Sequence, residues 1–189
     1  MTSIYLVLPS IDHEKQASEM KQEFFDHHEP KIDGGNRFDE MDYRAWLDHL
    51  ALCRTSEIEK TGWVSATTFF AVREADQKII GLVDLRHHIQ HPILQEYGGH
   101  IGYAVRPSER RKGYAKQMLE LVLQEAKKIG LTKVMVSCLE DNPGSEKTIL
   151  ANQGKLREKK RHSNEKNIHI YWIDLNSIKT NEESRYELL

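Results

Sequence analysis

One segment limits what this chain can fold into more than any other: Gly113 to Lys128, set between two runs of strand character. Ala115, Met118, Leu119, Val122 and Ala126 recur at three- and four-residue spacing, which places them on one apolar face of a helix. Lys127 and Lys128 suit the negative end of the helix dipole, and Gly130 is placed for a left-handed cap. His100 to Val105 precedes the helix as a strand stopped by Pro107, and Leu131 to Cys138 follows it as another. A helix that must bury one stripe between strands calls for a layered α/β fold.

The rest of the chain agrees. Ser3 to Leu8 reads as a first strand, and Ser10 as the cap of a helix running to about His28, with Ala17, Met20 and Phe24 on its stripe. Pro30 and Gly34-Gly35 mark a loop. Tyr43, Trp46, Leu47 and Leu50 mark a second helix. Thr67 to Arg73 and Lys78 to Arg86 form a hairpin, in which Ile79, Gly81, Val83 and Leu85 are expected on one face. Asp84 and Arg86 are expected on the other, beside Ile80 and Leu82. Asn142 to Asn152 reads as a short helix and Gly154 to Leu175 as a final hairpin. The expectation is one mixed α/β domain over residues 1–176 and a polar tail over 177–189.

Composition excludes several classes. Charged residues make up 30% and the hydrophobic set 39%, so the chain is neither disordered nor a membrane protein. The net charge of -2 excludes a chain-wide polyanion binder, so no nucleic-acid or membrane partner is expected. Ile4 to Leu8 is too short for a signal-peptide core. Cys53 and Cys138 share no metal-ligand spacing, and a reduced, cytoplasmic chain is expected. His87, His88 and His91 cluster without an acidic or thiol partner at ligand spacing, so no metal site is expected. They stand in a loop between two of the expected strands.

Chemistry concentrates at the junction from Val105 to Ala115. Arg110, Arg111 and Lys112 sit where the long helix starts, the wrong end for positive charge by roughly 0.3–1 kcal/mol per residue. A bound anion would compensate, because free N–H groups at a helix N-terminus already favour a phosphate. Gly113 and Ala115 are small enough for close approach.

Arg110-x-x-Gly113-x-Ala115 resembles the pyrophosphate-binding motif of the GNAT superfamily of N-acetyltransferases. The likeness extends to Gly102-Tyr103-Ala104-Val105 before it, the helix after it, and Asn142 to Gly154. It implies a mostly antiparallel, twisted sheet with splayed middle strands and flanking helices. It implies acetyl-CoA as donor, its pyrophosphate held at Arg110, Arg111, Lys112, Gly113, Tyr114 and Ala115. Ala104 and Val105 would pair with the pantetheine arm, and Asn142 and Ser145 would touch the cofactor. The acceptor would be a small-molecule or peptide amine, in a pocket that the loop of His87, His88 and His91 would help to shape.

The reaction needs a base, a holder for the oxyanion and, optionally, an acid for the thiolate. Glu96 and His100 are the first candidates for the base, with Asp84 third. Each has a plainer role: Glu96 as a solvated loop carboxylate, His100 as a turn cap, Asp84 as a partner of Arg86. Ile149 stands where the family usually has its acid, a tyrosine, which leaves Ser145, solvent or no acid. A non-catalytic acyl-CoA sensor is the alternative function. The basic stretch from Lys155 to Lys166 reads as a solvated hairpin, and a homodimer through the C-terminal strands is an expectation.

Overall fold

The computed structural model describes residues 2–162 and 166–178. Strand β1 (Ile4–Val7) leads through a 3-10 turn at Ile11–His13 into α1 (Glu14–Asp26), and α2 (Tyr43–Cys53) follows a long loop. Strands β2 (Ala66–Arg73), β3 (Ile79–Arg86) and β4 (Ile101–Val105) precede α3 (Tyr114–Lys128). Strand β5 (Lys133–Leu139), α4 (Pro143–Ala151), β6 (Lys155–Arg161) and β7 (Asn167–Asp174) complete the order.

Local chemistry explains several boundaries. Asp42 caps α2 by accepting from the Ala45 N–H at 3.0 Å. Gly130 takes φ 88° after α3, and the Leu131 N–H returns to Ala126 O at 3.0 Å, as expected for a left-handed cap. At the other end the chain stays attached past residue 176: Leu175 is buried and Ile178 packs on the core. Residues 179–189 of the expected tail lie outside the described residues, as do 163–165 of the basic hairpin.

The strands form two antiparallel sheets, β1-β2-β3-β4 and β5-β7-β6. They meet at His100, just before β4. Its N–H donates to Met135 O at 2.8 Å, and its Nδ1 accepts from the Met135 N–H at 3.0 Å. Beyond that clasp β4 and β5 part, opening a wedge toward their C-terminal ends. Helix α3 covers one face of both sheets: Met118, Leu119, Val122 and Ala126 share a core with Val83, Leu85, Val134, Val136 and Tyr171. Helices α1 and α2 cover the other face of the first sheet, where Met20, Phe24 and Trp46 meet Phe70, Val72 and Leu82.

The expected face assignment of β3 is corrected. Ile79 lies on the α1–α2 side while Val83 and Leu85 lie on the α3 side. Ala71 pairs with Gly81 but Val72 pairs with Ile79, so Ile80 is the extra residue of a bulge. One inserted residue reverses the alternation, which periodicity alone does not reveal. Strand β6 closes the second sheet with a solvent-exposed edge rich in lysine and arginine. Among the described residues no helix is long and apolar enough to cross a membrane.

Candidate active site

The wedge between β4 and β5 continues over the start of α3 as a cleft of about 840 Å³. Arg111 (φ 63°) and Gly113 (φ 83°) adopt left-handed conformations on either side of Lys112. The turn aims consecutive N–H groups one way, and those of Arg111 to Ala115 find no acceptor among the described residues. Such a nest at a helix N-terminus has the geometry to hold an anion.

The three cations of this turn do not act together, which corrects the expectation that all would face a bound anion. Arg110 forms a two-pronged pair with Glu29 at 2.6 and 2.7 Å, donates to Val105 O at 3.1 Å and lies over the Phe24 ring. Lys112 donates to Ser108 O and to Glu109, both at 3.0 Å. Glu109 also accepts from Arg73 at 2.8 Å and Lys78 at 2.7 Å. Burial works against its charge, but hydrogen bonds from Lys78, Lys112 and Arg73 outweigh burial and bring its pKa down to about 2. Cations crowding a helix N-terminus need counter-charge whether or not a ligand is bound, and Glu29 and Glu109 supply it. Arg111 makes no ion pair with a described residue.

Ala104, Val105, Asn142 and Ser145 line the cleft, together with Arg110, Arg111, Gly113, Tyr114 and Ala115. Asn142 caps α4 by accepting from the Ser145 N–H at 3.1 Å. The Ser145 hydroxyl lies 2.7 Å from the Tyr103 hydroxyl, a bridge from α4 to β4 across the wedge. Burial pushes the Tyr103 phenol up to about 12. Cys138 also lines the cleft, and burial raises its thiol to about 11.

The candidate bases fare differently. His100 is buried in the clasp, with its pKa lowered to about 4 by burial and then by the charges of Arg86 and His88. Glu96 is exposed on the turn Leu94–Gly98, and neither residue lines the cleft. Asp84 is buried against Thr68 Oγ1 at 2.8 Å and lies 3.6 Å from Arg86, the plainer role foreseen for it. Ile149 is wholly buried in the core. The histidine loop is corrected too: His87 bonds Thr67 at 2.8 Å, His88 meets Glu59 at 3.1 Å, and His91 packs on Trp63. None of these three lines the cleft, whereas Arg86, Tyr97 and Gly98 around them do.

Sequence reasoning missed the lip formed by Lys31, Asp33 and Gly34. Gly34 (φ 71°) lies flat on β4, where an added Cβ would stand 2.4 Å from Gly102 O. Only glycine fits there, so the loop is pressed across the vertex of the wedge. Asp33 rides on that loop at the solvent-facing rim, and surrounding protein raises its pKa. The Gly34-Gly35 pair signalled a loop but carried no sign of where it would fold. Tyr103 was nearer to view, since it lies on the strand entering the motif.

Comparison with known proteins agrees with this geometry. No curated protein matches the chain. The ribosomal L7/L12 alpha-N-protein acetyltransferase RimL, solved with coenzyme A, is 13% identical over 94% of this chain and 97% of its own, with TM-score 0.68. AAC(6')-Ib, solved with ribostamycin and coenzyme A, is 12% identical over 91% and 93%, with TM-score 0.62. Dodecameric spermidine N-acetyltransferase from Vibrio cholerae is 13% identical over 92% and 94%, with TM-score 0.57. At such identities these structures share the fold with this chain. The family model described as the acetyltransferase (GNAT) family matches residues 34–154, which run from Gly34 through the wedge and the N–H nest to α4. The chain therefore belongs to the GNAT acetyltransferase family.

Proposed function

We propose that this protein transfers the acetyl group of acetyl-CoA to a primary amine. The observation that carries the proposal is the run of unpaired N–H groups from Arg111 to Ala115 beside the open edge of β4. Five donors and the α3 dipole converge where a pyrophosphate would lie, with Arg111 adding charge. Gly102 and Ala104 bond β3, whereas Tyr103 and Val105 turn their N–H groups to the other edge of β4 beyond the His100 clasp, so an extended pantetheine arm can add there as a strand. Asn142 and Ser145 approach it from α4. Family membership supports this reading, as do similar structures that hold coenzyme A or acetyl-CoA.

The residues divide the chemistry between them. Asp33, on the lip over the wedge vertex, takes the proton that the neutral amine sheds as its nitrogen bonds to the thioester carbonyl, and its raised pKa makes it a better base than an ordinary aspartate. The negative charge developing on the carbonyl oxygen is held by N–H groups of β4. The Tyr103 phenol keeps its proton and donates to Ser145 Oγ. That orients the Ser145 hydroxyl hydrogen toward the departing thiolate, in the place of the acid that Ile149 cannot supply.

The test is calorimetric titration of acetyl-CoA into wild type and Gly113→Val. A valine at φ 83° is strained and places two methyl groups in the nest. Affinity should fall at least a hundredfold while the circular dichroism spectrum holds. Unchanged affinity would refute the site. Thiol release over an amine panel separates an enzyme from a sensor that binds without turnover.

A further inference from the structure

The wedge vertex carries a cation that donor binding leaves unexplained. Arg86 ends β3 and turns its guanidinium over the connection to β4. Nη1 donates to Gly98 O and Gly99 O, each at 3.1 Å. Nε is buried without a hydrogen-bond acceptor, and its nearest carboxylate, Asp84, stands 3.6 Å away and engaged with Thr68. Nη2 runs along the cleft floor, 3.7 Å from where a Cβ on Gly102 would stand. Two carbonyls therefore lock the group in place while its outer nitrogen faces the vertex.

The surroundings reinforce that charge. Lys31, on the lip above, makes no ion pair with a described residue. His162 packs edge-on against Tyr97 at 4.7 Å to form a side wall. Of the carboxylates lining the cleft, Glu29 and Glu109 are taken by Arg110 and by the cations around Glu109. Asp33 is left to face the acceptor. A polycationic acceptor would meet Arg86 and Lys31 with like charge. A carboxylate would accept a charge-assisted hydrogen bond from Nη2, for which no acceptor stands among the described residues.

We propose that the acceptor carries a carboxylate beside its reacting amine, and that Arg86, assisted by Lys31, receives it. This rests on the acetyl-transfer reading and narrows its substrate class. Arg86 fixes the anion, and Asp33 faces the amine.

The experiment compares matched acceptors differing by the anion. Phenylalanine is set against phenethylamine, lysine against cadaverine, and a peptide amide beginning Ala-Glu-Glu against one beginning Ala-Gln-Gln. The carboxylated member of a pair should win at least tenfold in kcat/KM, chiefly through KM. The amino-acid pairs report an α-carboxylate and the peptide pair a side-chain one. In Arg86→Gln the advantage should fall below threefold with the acetyl-CoA KM unchanged, and Lys31→Gln should lower it partly. Binding of the same panel to the CoA-saturated protein, read by calorimetry, carries the test without turnover. Carboxylate-dependent binding without transfer would count against the transfer reading alone. Preference for the uncharged or polycationic members, or an advantage that survives Arg86→Gln intact, would overturn the proposal.

Discussion

Replacing Glu109 with glutamine removes the charge that holds the N–H nest to the β2–β3 hairpin. The side chain is 4% exposed and faces Arg73, Lys78 and Lys112. Its pKa falls from 4.5 to about 2 on folding, which at 1.36 kcal/mol per unit corresponds to about 3 kcal/mol. Lys78 and Lys112 are 32% and 51% exposed, so screening reduces the expected loss to about 2 kcal/mol. The sign follows from the lowered folded-state pKa. The unfolded chain takes up a proton first as pH falls, so Glu109 stabilises fully above pH 4.5 and not at all below about 2. Urea denaturation of wild type and Glu109→Gln at pH 7, 5, 4 and 3 should show a constant gap at the two higher values. The gap should shrink to about half near pH 3. The loop should also loosen, so acetyl-CoA affinity should drop with stability. Equal denaturation midpoints at pH 7, or a gap that ignores pH, would refute the argument.

Other expectations test the remaining parts. His100 is neutral when folded, with a pKa near 4 against 6.5 unfolded, so wild-type stability should decline as pH falls from 6.5 toward 4, by up to about 3 kcal/mol. His100→Gln should flatten that decline in urea titrations at pH 7, 6 and 5. Asp33→Asn should cut kcat/KM by about a hundredfold or more and abolish the rise in rate with pH that ionisation of Asp33 produces. A weakly basic amine acceptor, already neutral across the range, keeps that profile free of the substrate's own titration. Ile149→Tyr should not supply the missing acid. A Cβ on Gly154 would already stand 2.3 Å from Ile149 Cγ2, so the ring would overpack the core and cost about 1–3 kcal/mol without raising kcat.

The sequence by itself determined the α/β layering, the run of α3, its glycine cap and the small-residue turn that opens it. Each rests on interactions between residues close in the chain: apolar spacing along a helix, a glycine needed at positive φ, and small residues at a helix start. Tertiary structure decided the rest. Glu29 and Glu109 neutralise Arg110 and Lys112, yet Glu29 is 81 positions from Arg110 and nothing local announces the pair. His100 stands close to the slot in sequence, as a base should, but in space it is the clasp that makes two sheets diverge. The Gly34 loop and Arg86 reach the same vertex from 52 positions apart because the lip needs a backbone without a Cβ and β3 ends beneath it. Burial and long-range charge set which of these groups face a substrate, and both exist only once the chain has closed on itself.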